Sequence, residues 1–303
     1  MRTSGARNAG AVVARAFKNV LADITPRADE VADARARAKR IQTRLEKSFY
    51  VTDVRVVGSF VKGTAVWRQS DLDLFVCLSR DEARWGGRIV NSRTFLRRVQ
   101  TELQTLYPSS DLRPDGQAVT LRFKSGADRV DRFDVVPAVL DRIERGGAVY
   151  AIPDGQGGWM QTAPHLQRSY LKEASDRSGG KLPRVVQLVK WWTGVRTAPV
   201  PLKPFHVEMV LAGTDLCVGA ASYSRLTADA FRLLAQRKGR ALRDPMGVSG
   251  LLPAADTDPK KAKVTAALER AAEWAAAALD AEKHGDARGA LSHWDRVFNR
   301  KFR

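Results

Sequence analysis

The sequence predicts an α+β, bilobed fold in which a mixed-sheet lobe carries a long N-terminal helix and a helical C-terminal lobe follows. Three observations carry this. Apolar residues recur at helical spacing through the first fifty positions, short strand-like runs dominate from about residue 53 to 136, and the three-to-four spacing returns from about Pro164 onward. A chain of 303 residues is long enough for two lobes of about 150 residues. The turn-rich stretches 153–164 and 175–183 are the most linker-like, so the division expected is 1–163 and 164–303.

Taken in order, Val12, Val13, Ala16, Phe17, Val20, Leu21 and Ile24 mark a first helix, closed by Thr25-Pro26. A long second helix, about Pro26 to Ser48, combines an apolar stripe through Ala34, Ile41 and Leu45 with an arginine-rich face. Strands are expected at 53–57, 71–78, 117–123 and 130–136, the last two as neighbours. Between the second and third lies an amphipathic helix, about Ser92 to Tyr107, with Phe95, Leu96, Val99, Leu103 and Leu106 inward. RVVQLVKWWTGV, PFHVEMVLAGTDLCV, TADAFRLLAQRKGRAL and the alanine-rich run from Lys263 to Phe298 supply the later helices. Trp191, Trp192, Trp274 and Trp294 fall among Leu, Val and Ala there, as core residues do.

Composition narrows the function classes. No run approaches the roughly 18 apolar residues of a membrane helix, and the N-terminal segment lacks a secretory core, so no membrane and a cytoplasmic location are expected. Cys77 and Cys217 sit in apolar contexts that suit buried free thiols, and four histidines without ligand spacing argue against zinc. Lys and Arg number 51 against 33 Asp and Glu, a net charge of +18 that attracts polyanions: nucleotides, RNA, DNA or an anionic surface.

The chemistry concentrates in VVGSFVKGTAVWRQSDLDLFVCL, residues 56–78. In a strand, residues two apart point the same way, so Asp71 and Asp73 share a face while Leu72, Leu74 and Val76 fill the other. Two such carboxylates repel and call for a cation. An all-oxygen set without His or Cys suits Mg²⁺ above all. Gly58-Ser59 then opens a short helix whose amides and Ser59 hydroxyl would cradle a triphosphate, and Gly63-Thr64 turns the chain back. Asp134 in RFDVVPAV supplies a third carboxylate on a face with Arg132 and Val136, whereas Asp131 should point away.

This pattern resembles the polymerase-beta-like nucleotidyltransferases, whose GS…G(S/T)…(S)DxD signature stands here as Gly58-Ser59, Gly63-Thr64 and Ser70-Asp71-Leu72-Asp73. DVVPA at 134–138, LVKWW at 188–192, KPFHVE at 203–208, RDPMG at 243–247 and ALSHWDRVFNRKF at 290–302 resemble the bacterial CD-NTases, relatives of cyclic GMP-AMP synthase and oligoadenylate synthetase. The resemblance implies an enzyme that joins nucleoside triphosphates into cyclic di- or trinucleotide second messengers for antiphage (CBASS-type) defence, working as a monomer. It implies that residues 1–163 form the catalytic lobe, that Asp71, Asp73 and Asp134 hold two Mg²⁺ ions, with Mn²⁺ an alternative, and that Gly58 and Ser59 meet the triphosphate. Lys190 matches the lysine that reaches donor phosphates and Phe205 the aromatic that stacks on the donor base; Pro204 replaces the serine common before that aromatic.

Two other readings compete. A template-independent RNA nucleotidyltransferase, of the CCA-adding, polyadenylating or tRNA-modifying toxin kind, suits the positive charge. A catalytically dead RNA-binding protein is opposed by the intact aspartates. The resemblance also raises an RNA or other nucleic-acid activator on the basic surface, with Arg35, Arg37, Lys39 and Arg40 of the long helix as its first cluster.

Overall fold

The computed structural model describes residues 4–123, 132–144 and 146–302. Two compact units emerge, one of Pro26–Ser169 and one of Met1–Thr25 with Tyr170–Arg303. The division read from the sequence therefore differs on two points: the first helix belongs with the C-terminal helices, and the boundary falls inside a helix, not at residue 163. The reason for the first lies in aromatic packing, described below.

The chain opens with α1 (Ser4–Ile24) and α2 (Ala28–Leu45). Next come β1 (Val51–Val57), the short α3 (Gly58–Lys62), β2 (Leu72–Leu78), a small hairpin of β3 (Arg84–Trp85) and β4 (Arg88–Ile89), and α4 (Ser92–Leu106). β5 (Asp111–Asp115), β6 (Ala118–Arg122), β7 (Arg132–Glu144), β8 (Gly147–Pro153) and β9 (Trp159–Thr162) complete the first unit's sheet. β1 runs antiparallel to β2, β2 parallel to β7, and β7 antiparallel to β6, which pairs with β5.

β7 is longer than the 130–136 run expected, and its second half takes up β8, which pairs with β9. The stretch 153–164 is therefore half hairpin, not a linker. Its turn is closed by Asp154, whose Oδ1 accepts the amides of Gln156 (2.7 Å) and Gly158 (2.9 Å). Four strand residues beside so many turn formers leave no periodicity to read. Pro137 of this central strand lies where pairing with β6 has ended, at Val135, and pairing with β8 has not begun, at Val139, so on that edge no ladder needs its N–H.

Alternation sorts the sheet's two faces. Leu72, Leu74, Val76, Val119, Leu121, Phe133 and Val135 pack on one side against Ala34, Ala38, Ile41 and Leu45 of α2 and Phe95, Leu96, Val99 and Leu103 of α4. Phe75, Cys77, Ala138, Tyr150 and Ile152 form a smaller apolar cluster on the other. Asp73 and Asp134 precede Phe75 and Val136 by two residues, so they emerge on this second face, clear of the helices.

The second unit continues from α5 (Pro164–Arg177) through α6 (Lys181–Gly194), α7 (Pro204–Ala212) and α8 (Tyr223–Gln236). A two-residue-strand hairpin, β10 (Leu242–Arg243) and β11 (Leu251–Leu252), precedes α9 (Asp258–Lys283) and α10 (Ala287–Val297). α7 stops at Ala212, short of the run expected through Val218, and the long terminal helix is broken where Asp286 caps α10. Ala290, Trp294, Phe298 and Phe302 recur every four residues and are all buried. Phe17 of α1 meets this stripe edge-on, its ring 4.9 Å from Trp294 and 4.8 Å from Phe302. The C-terminal pattern thus serves to bind α1 to the helical unit. Of the four tryptophans expected in the core, Trp192 and Trp294 are fully buried, whereas Trp191, stacked on Phe298, and Trp274 are only partly buried. No helix among the described residues is long and apolar enough to cross a membrane.

Candidate active site

The strand β1 ends at Val57, opposite Asp73 in register, and the chain turns at Gly58 with φ +67°. Only glycine adopts that left-handed conformation without strain. It also lacks the atom that would collide: a Cβ on Gly58 would overlap Asp73 Oδ2 and lie 2.6 Å from its Cγ. The Gly-Ser turn is thus folded directly against the second aspartate. Ser59 is buried, and its carbonyl accepts the amide of Thr64 at 3.0 Å, with Gly63 in the left-handed region (φ +69°) closing α3.

Asp73 and Asp134 are register partners across the parallel β2–β7 pair, which sets their backbones about 4.8 Å apart on one face. Asp71 lies just ahead of β2 rather than within it. Its Oδ1 is 3.2 Å from Nε of Arg132, and the same Nε is 3.9 Å from Asp134 Oδ1. Asp134 Oδ1 also accepts a hydrogen bond from the hydroxyl of Thr120, its register neighbour on β6, at 2.7 Å. Among the described residues no group of three or more His, Cys, Asp and Glu side chains stands where it could hold a metal ion. Asp131 lies outside the described residues.

The sequence reading named Asp71, Asp73, Asp134, Gly58 and Ser59, and the fold gathers these five on neighbouring elements of one unit. It missed Thr120, which a polar residue between inward Val119 and Leu121 signals once β6 is set beside β7. Arg132 was noted only as sharing Asp134's face; its contact with Asp71 requires the tertiary structure.

Lys190 and Phe205 belong to the other unit. Lys190 on α6 is buried, and its Nζ lies 3.3 Å from Oε1 of Glu208 on α7, itself buried. Glu208 is the last residue of KPFHVE, so this motif brings its own counter-charge to the lysine. Pro204 stands at the first turn of α7, where a missing N–H has no helical partner to lose, which accounts for proline there. Phe205 follows it, half-buried. His206 is buried with Nδ1 2.9 Å from the Leu252 carbonyl, and burial pushes its pKa below the usual imidazole value, the behaviour of a structural histidine. Asp244 of RDPMG organises its own loop, accepting amides from Met246, Val248 and Ser249.

The basic cluster of the long helix divides. On α2, Arg35, Lys39 and Arg40 are exposed, whereas Arg37 pairs with Asp33 at 3.2 Å and lies 5.8 Å over the Phe123 ring.

The fold is that of the bacterial CD-NTases, a polymerase-beta-like architecture. CdnC of Escherichia coli MS115-1, solved with ATP, superposes with a TM-score of 0.73 at 20% identity, covering 97% of this chain and 98% of that one. The Bradyrhizobium diazoefficiens CD-NTase CdnG, solved with GTP, gives 0.66 at 12% identity over 94% and 97%. In sequence, the model of the Second Messenger Oligonucleotide or Dinucleotide Synthetase domain (SMODS) matches residues 12–174, and the chain belongs to this family. A cyclic AMP-AMP-AMP synthase of Escherichia coli (strain MS 115-1) is 27% identical over 195 residues, 59% of this chain and 57% of that protein. A probable cyclic nucleotide synthase of Bacillus cereus (strain VD146) is 26% identical over 37% of this chain and 34% of its own length. The matches thus span between a third and about three fifths of these curated relatives.

Proposed function

We propose that this chain is a Mg²⁺-dependent nucleotidyltransferase that joins nucleoside triphosphates into a cyclic oligonucleotide second messenger, used in antiphage defence. The observation that carries the reading is the juxtaposition of Asp73 and Asp134 on adjacent parallel strands, with Gly58 folded against Asp73 so closely that no side chain fits. Family membership and the names of the curated relatives support the cyclic product.

The donor set fits a hard divalent ion. It is all carboxylate oxygen, and Mg²⁺ takes one or two protein carboxylates and completes its shell with water and substrate phosphates, so a closed protein cage is not required. When bound, the metal supplies charge neutralisation for the attacking and leaving oxygens of an in-line displacement. Asp71 and Asp73 would hold it, and Asp134, oriented by Thr120, would align the attacking ribose hydroxyl. The hydroxyl gives its proton to the Asp134 carboxylate as its oxygen forms a bond to the donor's α-phosphorus, the α–β phosphoanhydride bond breaks, and pyrophosphate leaves without a covalent enzyme intermediate. The amides of the Gly58-Ser59 turn would receive the triphosphate. By resemblance, Lys190 would reach the donor phosphates and Phe205 would stack on the donor base.

The test is to incubate the protein with Mg²⁺ and labelled nucleoside triphosphates, with and without RNA, treat with phosphatase, and resolve the survivors. A resistant product that vanishes in Asp71→Asn/Asp73→Asn is expected. Label transferred to the RNA, with no resistant product, refutes the proposal and identifies an RNA-tailing enzyme.

A further inference from the structure

We infer that Arg132 is a built-in counter-ion of the candidate site, holding the converging carboxylates of Asp71 and Asp134 until a divalent metal displaces it toward Asp115. The inference rests on the metal-site reading above and extends it to what controls metal entry. Arg132 opens β7 two residues before Asp134, so both side chains rise from the same face. Its Nε lies 3.2 Å from Asp71 Oδ1 and 3.9 Å from Asp134 Oδ1, while Nη2 lies 3.7 Å from Asp115 Oδ2. One permanent positive charge thus faces three carboxylates.

Three features make the hold on Asp71 breakable. The Nε–H is buried and has no hydrogen-bond partner, so its contact with Asp71 is coulombic and lacks the two-pronged geometry that makes arginine–carboxylate pairs strong. Arg122 is the register partner of Arg132 on β6, and two like charges directly opposite each other disfavour the position. Finally, Asp115 is 71% exposed and already within reach of Nη2, so a solvated partner stands ready for the displaced guanidinium. A divalent cation concentrates twice the charge in a smaller volume and competes for the same oxygens; both cannot occupy them.

The experiment is a titration of the full chain with Mn²⁺ alone, free Mn²⁺ being counted by electron paramagnetic resonance. Arg132→Gln is expected to bind Mn²⁺ about three- to fivefold more tightly than the wild type, the upper part of the range that loss of one competing ion pair releases. Arg132→Lys, which keeps the charge, should stay within about twofold. Asp115→Asn is a surface change that leaves folding intact and should weaken binding about threefold, an effect absent when Arg132 is already Gln. Equal or weaker binding by Arg132→Gln, or an Asp115→Asn effect that persists in that background, overturns the inference while leaving the metal site standing. Binding that is unaltered by Asp73→Asn refutes the metal-site reading itself, and this inference with it.

Discussion

Replacing Gly58 with alanine tests the candidate site at its tightest point. The residue has φ +67°, and an L-residue there costs about 1–2 kcal/mol. The new methyl would also overlap Asp73 Oδ2 and lie 2.6 Å from Cγ, so the carboxylate must leave its rotamer, at about 0.5–1.5 kcal/mol more. The destabilisation expected is therefore about 1.5–3.5 kcal/mol, a fall in Tm of about 3–14 °C. The functional loss is larger, because displacing a reacting group by about 1 Å costs about 100-fold. Gly87→Ala is the matched control: its φ is +77° with nothing within 4 Å, so it carries the backbone strain without the collision. Pyrophosphate release and thermal melting are measured on both variants. Gly58→Ala should lose about 100-fold or more in kcat, and Gly87→Ala little. Turnover by Gly58→Ala within threefold of the wild type refutes the reasoning.

Four further outcomes follow from the same geometry. Thr120→Val removes the 2.7 Å hydrogen bond to Asp134 and should lower kcat about tenfold with KM unchanged, measured by steady-state kinetics. Glu208→Gln deprives buried Lys190 of that carboxylate and should destabilise by about 3–5 kcal/mol in urea unfolding, whereas Lys190→Met combined with Glu208→Leu should recover most of the stability. If the double variant keeps full turnover, Lys190 does not serve the donor phosphates. Phe17→Ala empties a fully buried site facing Trp294 and Phe302 and should cost about 3–5 kcal/mol, read as an earlier melt in near-UV dichroism. Burial pushes the Cys77 and Cys217 thiols up to about 11. The folded state then keeps protons that the unfolded chain loses above about pH 9, so stability is full below that pH and falls toward pH 11. The urea midpoint should drop over that window, and both thiols should resist alkylation in native protein at pH 8.

Much of the site was legible because it is local. Gly58 and Ser59 are adjacent in sequence, Asp71 and Asp73 differ by two positions, and a period of two sends Asp73 to the face opposite Leu72, Leu74 and Val76, while Asp71 stands just ahead of the strand. Asp134 was legible as a candidate by its own alternation. Its partnership was not, because the parallel β2–β7 register that sets it beside Asp73 joins residues about sixty apart. The β8–β9 hairpin escaped because four strand residues beside Gly and Asp turns leave no period, and the place of α1 escaped because Phe17 reads as an ordinary apolar helix position.

By itself, the sequence determined the two kinds of structure in the chain, the short acidic strand, the glycine turn before it and the aromatic stripe that ends it, because each is written in spacings of two, three or four residues. Only the tertiary structure decided which residues stand against these. It put Thr120 on Asp134, Arg132 between Asp71 and Asp134, Glu208 against Lys190 and Phe17 beneath Trp294. Such contacts depend on strand register and helix packing, which are set by burial of whole apolar faces and not by any local motif.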